Sequence, residues 1–136
     1  MAARTKARKR ALDVLYECDL RSVPLGSTLP QRIAAGDPPV NDYTVRLVEG
    51  VAANQARIDQ LLGSYSIGWP LPRMPVVDRN LLRIAAFEVL FVDDVPDAVA
   101  VSEAVHLVSE LSTEESAGFV NGLLARLVDV KPQLSA

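Results

Sequence analysis

Three observations predict an all-α chain. No segment of useful length alternates apolar and polar residues with period two. Several stretches instead repeat apolar residues at helical spacing. Proline, glycine and capping residues punctuate those stretches where helices would start and stop. With 136 residues, 49% of them hydrophobic, one domain has enough apolar mass to bury a core.

The first helix is expected over residues 5–20, where Ala11, Leu15 and Cys18 fall at i, i+4 and i+7 with Leu12 beside them. Residues 22–28, with Pro24 and Gly26, form a loop. Pro30 in a first turn and Gly36 past the end bracket a short second helix, and Asp37-Pro38-Pro39 forbids its continuation. Asn41 and Asp42 are N-cap candidates for a long helix reaching residue 62. Its inward stripe is Leu47, Val48, Val51, Ile58, Leu61 and Leu62, with Gly63 as a stop and Asn54 as a point where it can divide in two. Residues 64–75 hold Gly68, Pro70, Pro72 and Pro75 and read as a linker with room for one helical turn. The linker separates an N-terminal half, residues 1–65, from a C-terminal half, residues 76–132, of a single domain spanning residues 1–136.

Residues 76–92 are apolar almost all round, the pattern of a central helix buried on several sides, and Asp93-Asp94-Val95-Pro96 ends them. The next helix, residues 98–111, is expected to turn Val101, Ala104, Val105, Val108 and Leu111 inward. Ser112 with Glu115 three residues later is a capping-box pattern. It opens a last helix over residues 115–130 that buries Val120, Leu123, Leu124, Leu127 and Val128, with Pro132 closing it. Six or seven helices result.

Charge is distributed unevenly. Arg4, Lys6, Arg8, Lys9 and Arg10 fall within the first ten residues, yet the chain has a formal net charge of -3. A cationic arm on an acidic body suits the holding of a polyanion at one end. Such an arm repels itself until phosphates neutralise it, as Arg-rich RNA-binding segments do. The plainer alternative is a solvated terminus that aids solubility. Arg4 and Arg8 share a helical face, and Tyr16, two turns beyond Arg8, is placed to stack on an unpaired base or to sit half-buried in the core.

The remaining polar residues argue for binding rather than catalysis. One cysteine, Cys18, excludes an internal disulfide, and one histidine, His106, excludes the usual histidine-rich metal sites. No glycine-rich phosphate loop, dinucleotide fingerprint or zinc-protease motif is present, so no cofactor is expected. Glu88, alone in an apolar helix, is expected to accept backbone N–H groups at the start of the following helix; a general-acid role is the sharper alternative. Asn121 and Gly122 are poor helix-interior residues, and Gly122 is expected at a close helix–helix contact. Ser116 and Phe119 are candidate surface-recognition residues. The basic N-terminus is not a signal peptide, because Asp13, Glu17 and Asp19 break the segment that would have to be a pure apolar run, and a cytoplasmic protein is expected.

Three stretches together resemble the NusB family of bacterial transcription antitermination factors. They are Ala7-Arg8-Lys9-Arg10-Ala11-Leu12 with Val14-Leu15-Tyr16; Val77-Asp78-Arg79 through Phe87-Glu88-Val89-Leu90; and Asp94-Val95-Pro96 through Ser116 and Phe119-Val120-Asn121-Gly122-Leu123-Leu124. The resemblance implies two small helical bundles. It also implies pairing with NusE, a small-subunit ribosomal protein, to bind the boxA element of ribosomal RNA leaders and promote antitermination by RNA polymerase. By the same resemblance Arg4, Lys6, Arg8, Lys9 and Arg10 would hold the RNA backbone, and Tyr16, Glu115, Ser116 and Phe119 lie at or near the RNA surface. Asp78 matches an acidic position at the NusE contact, with Arg79 and Arg83 as neighbours.

The chain departs from the family pattern at Thr5, where some relatives have arginine, at Ser102, often asparagine, and at Gly118, often lysine. With fewer cations near Phe119, NusE is expected to supply more of the affinity. Two other readings compete. NusB-like domains also begin rRNA cytosine methyltransferases, but this sequence ends at Ala136 without a cofactor-binding α/β domain. A homodimeric helical scaffold without RNA is the other.

Overall fold

Seven α-helices and one 3-10 turn, with no strand among the described residues, make up the fold in a computed structural model that describes residues 2–37 and 39–134. The helices are α1 (Ala3–Leu20), α2 (Leu29–Ala35), α3 (Asp42–Ala53), α4 (Gln55–Tyr65), α5 (Val76–Phe91), α6 (Asp97–Leu111) and α7 (Glu114–Leu134), and the 3-10 turn is Leu71–Arg73. The all-α expectation holds. Pro38, one of the residues expected to stop α2, lies outside the described residues, as does Ala136.

The helix of residues 76–91 is the central element. α5 packs against α1, α3, α4, α6 and α7, and every residue from Asn80 to Val89 is buried. Its all-round apolar sequence is therefore matched by neighbours on all sides. The α3 crossing is tight: a Cβ on Gly50 would stand 2.1 Å from Cζ of Phe87. Only a residue without a side chain lets that ring sit on the α3 backbone.

Local signals set several of the helix ends. Asn41 Oδ1 accepts the Thr44 N–H at 2.9 Å and caps α3. Asn54 ends α3, its own side-chain amide donating to the Gly50 carbonyl at 2.8 Å, and α4 begins at once. Gly36 takes the left-handed φ of 64° that closes α2.

Four expectations need correction. Gly63 does not stop α4, which runs to Tyr65. The cap of α7 is Thr113 rather than Ser112, since Thr113 Oγ1 accepts the Ser116 N–H at 3.0 Å. Pro132 lies inside the last turn of α7, where its missing N–H costs one hydrogen bond and Lys131 ties that turn to Asp97 at 2.8 Å. The buried face of α6 is Ala100, Ala104, Leu107 and Val108, whereas Val101 and Val105 are half-buried and Leu111 is exposed. Ala100, Ala104 and Leu107 lie opposite Leu81, Ile84 and Ala85 where α6 meets the central helix.

Candidate nucleic-acid interface

α1 is a two-faced helix whose cations are divided between its faces. Thr5, Ala7, Arg8, Ala11, Leu12, Val14, Leu15 and Cys18 point inward. Arg4 and Lys6 are exposed, while Lys9 and Arg10 are half-buried at the edge. The basic run is thus too long for one surface stripe: at 3.6 residues per turn one of its members must meet the core.

Arg8 is that member. Its Nε donates to both Glu88 oxygens at 2.9 and 3.0 Å, and Nη2 adds a bond at 2.8 Å. The Arg8 Nη1 lies 3.3 Å from Glu103, and Tyr43 donates its hydroxyl to Glu88. Burial disfavours the Arg8 cation, but the hydrogen bond and charge of Glu88, with Glu103 and Tyr43 adding to them, outweigh it and raise its pKa. Burial and Glu88 together push the Tyr43 phenol up as well. Two expectations are corrected by this cluster. Arg8 is not on the surface with the rest of the arm, because a buried carboxylate holds its guanidinium inside. Among the described residues Glu88 caps no helix; it is the counter-ion that lets an arginine enter the core.

Arg4 remains on the surface. It stacks over the Tyr43 ring at 4.2 Å and pairs with Asp94 at 3.0 Å. Exposed pairs of this kind contribute about 0–1 kcal/mol, so Arg4 can exchange Asp94 for another anion at little cost. Arg10 has only a loose 3.9 Å approach to Asp13. Tyr16 is exposed and therefore does not share the face of Arg8; it lies on the side of Lys9, seven residues back. Thr5 is buried and donates to Glu103 at 2.8 Å, so this departure from the family pattern is an inward one.

A second patch forms where the linker meets the start of α7. Phe119 packs edge-to-face against Trp69, ring centroids 5.1 Å apart at 70°. With Ile67, Gly68 and Glu115 they line an open cleft of about 340 Å³. Glu115 and Gly118 are exposed, whereas Ser116 is buried, its hydroxyl 3.2 Å from that of Ser112 and 3.0 Å from that of Thr113. Ser116 is thus part of the helix cap and is corrected from a surface-recognition residue. Trp69 was missed from the sequence, although a lone tryptophan inside a proline-rich linker was its visible signal.

Residues expected at the protein contact also turn inward. Asp78 is fully buried, with both carboxylate oxygens lacking a hydrogen-bond partner among the described residues. Arg83 grips Asp59 with two bonds of 2.8 and 2.9 Å and reaches Asp19 at 2.9 Å. Arg79 donates to Asp19 at 2.9 Å and to the carbonyls of Leu71 and Pro72 at 3.3 and 3.2 Å. Burial pushes the Asp19 carboxyl up, but hydrogen bonds from Arg79 and Asn80 and the charge of Arg83 outweigh it and hold the pKa low. These arginines join α1, α4, α5 and the linker, and they hold the Trp69 segment against the last turn of α1.

Among the described residues there is no metal-binding cluster of His, Cys, Asp or Glu, and no helix long and apolar enough to cross a membrane. Fold and surface together define a helical binding module: a rigid bundle with a cationic helix edge and an aromatic cleft. The family model described as the NusB family matches residues 5–129, and the chain belongs to that family. It is 60% identical over 136 residues to the transcription antitermination protein NusB of Kineococcus radiotolerans, covering all of both chains. The NusB of a Nocardioides species is 59% identical across 99% of this chain and 100% of its own. Among solved structures, T. maritima NusB superposes with a TM-score of 0.80 at 31% identity, over 94% of this chain and 92% of that one. A NusB crystallised with NusE and double-stranded RNA gives a TM-score of 0.81 at 26% identity, over 93% and 96%.

Proposed function

We propose that this chain is an RNA-binding transcription antitermination factor that pairs with NusE on boxA RNA of ribosomal leaders and promotes antitermination by RNA polymerase. It works in the cytoplasm by binding, without catalysis. The observation that carries this reading is the outer edge of α1, where Arg4 and Lys6 are exposed and Lys9 and Arg10 half-exposed beside exposed Tyr16. The remainder of the chain is acidic, with nine basic against seventeen acidic residues outside that arm. Phosphate is therefore attracted to one end of the molecule and repelled elsewhere. Glu115 and Phe119 form the second part of the RNA surface. Arg79 and Arg83 serve the NusE contact by fixing the junction of α1, α4 and α5 rather than by reaching across to the partner, and Asp78 lies buried at the start of α5.

A salt titration of binding to a boxA-containing RNA, with and without NusE, tests the proposal. Each phosphate contact on a single strand adds about 0.7 to the slope of log affinity against log salt. Replacing Lys6, Lys9 and Arg10 together by alanine should flatten that slope by about 2 while leaving the unfolding midpoint nearly unchanged. An unaltered slope would remove the arm from RNA binding.

A further inference from the structure

We infer that the cleft between the linker and the start of α7 is a subsite for one unpaired guanine of the bound RNA, with Trp69 as its stacking wall and Glu115 as its reader. The inference rests on the proposed RNA-binding function and adds a residue and a base to it. The cleft of about 340 Å³ lined by Ile67, Gly68, Trp69, Glu115 and Phe119 is roomy enough for a single base. It is also apolar on most sides: Ile67 is 69% exposed at its rim, and both aromatic rings remain only partly buried. Bases stack on such rings regardless of identity, because every base has a π-face.

The wall is held in place. Gly68 takes a φ of +81°, which an L side chain would resist, and the turn it makes presents Trp69 to Phe119. Ser66 donates its hydroxyl to the Trp69 carbonyl. A few residues further on, Arg79 fixes the Leu71 and Pro72 carbonyls to Asp19 of α1. A stacking surface that is pre-ordered loses less entropy on binding.

Glu115 supplies the choice of base. An ionised carboxylate only accepts hydrogen bonds. Guanine alone presents two adjacent donors, N1–H and N2–H, on its Watson–Crick edge. Cytosine and adenine place a ring-nitrogen acceptor beside their amino group, and uracil flanks its single N–H with two carbonyls; each sets a lone pair against the carboxylate. Pairing of the guanine in a duplex would occupy the same edge, so the subsite requires an unpaired base.

Trp69 is the chain's single tryptophan, so its emission reports this cleft and nothing else. A boxA-containing single-stranded RNA carrying a terminal fluorophore should be titrated with the protein, following anisotropy for binding and tryptophan emission for cleft occupancy. The two signals should saturate together. Trp69→Ala should weaken binding by about 5- to 100-fold, and Trp69→Phe should restore most of it, since base–aromatic stacking is worth about 1–3 kcal/mol. Replacing guanines by inosine one at a time, which deletes the N2 amino group, should cost about 5-fold or more at one position and nothing at that position in Glu115→Gln. Should Trp69→Ala fail to fold, wild-type emission and the inosine series decide the matter. Normal anisotropy with unmoved emission, or equal inosine costs in wild type and Glu115→Gln, overturns the subsite and leaves RNA binding standing. No anisotropy change with or without NusE overturns both.

Discussion

Arg8 and Lys9 adjoin in the same basic run, yet Arg8 is 3% exposed and bonded to Glu88 at 2.8 Å while Lys9 sits half out of the bundle. One helical step of about 100° separates a buried, paired cation from one that reaches solvent. Counting charges in the arm therefore overstates its grip on phosphate. What matters is each cation's phase relative to the core and whether an acidic residue waits there. Glu88 and Glu103 wait for Arg8; across the outer edge, Arg10 has only the 3.9 Å approach of Asp13.

The largest effect expected from this contrast is on folding. Arg8→Ala leaves Glu88 buried without its main counter-charge, and breaking such a pair from one side costs about 3–5 kcal/mol. Urea unfolding should show that loss, whereas Lys6→Ala and Lys9→Ala each change stability by no more than about 0.5 kcal/mol. In whatever Arg8→Ala protein remains folded, the salt dependence of RNA binding should match wild type. A flattened slope there would restore Arg8 to the RNA surface and abolish the contrast.

A second comparison sets two glycines against each other. Gly50 carries the Phe87 ring at 2.1 Å from its virtual Cβ, so Gly50→Ala forces α3 and α5 apart and should cost about 1–3 kcal/mol by thermal or urea unfolding. The sequence suggested the opposite emphasis, placing the close contact at Gly122. Among the described residues, a Cβ on Gly122 would meet Arg126 Nη1 alone, at 3.5 Å.

That reversal shows what a sequence pattern can and cannot carry. Periodicity located the helices and the buried stripes of α3, α4 and, apart from half-buried Val128, α7, because those depend on spacing alone. Caps such as Asn41 and Gly36 were legible because they act within one turn. The partners of Arg8, Arg79 and Arg83 lie 80, 60 and 64 residues away in Glu88, Asp19 and Asp19, where no local rule reaches. The same holds for Trp69 against Phe119 and Phe87 against Gly50. Family resemblance named residues on α1, α5 and α7, but it could not say which of their side chains face outward.

The inner network also makes a pH prediction that the outer cations do not. The Asp19 carboxyl titrates below its unfolded value of about 3.9, so its stabilisation is complete above that pH and is lost as pH falls through the depressed folded value. Urea midpoints measured from about pH 5 down to about pH 2 should fall less steeply in Asp19→Asn than in wild type. Parallel acid limbs would mean that Asp19 keeps an ordinary carboxylate pKa and that Arg79 and Arg83 do not depend on it.

The smallest expected effect lies at Gly122. A glycine inside a helix costs about 1 kcal/mol relative to alanine, and here no neighbour forbids the added methyl group. Arg126, the nearest side chain, is held by its Nε bond to the Tyr65 carbonyl at 2.9 Å, and its 3.5 Å approach is ordinary contact. Gly122→Ala in the isolated protein should therefore leave the unfolding free energy unchanged or raise it by up to about 1 kcal/mol. Destabilisation by more than that would mean α7 packs more tightly at this turn than the structure has it. An unchanged fold with weakened NusE association would give the glycine a different reason to exist, one outside its own chain, and would mark this turn of α7 as part of the partner's footprint.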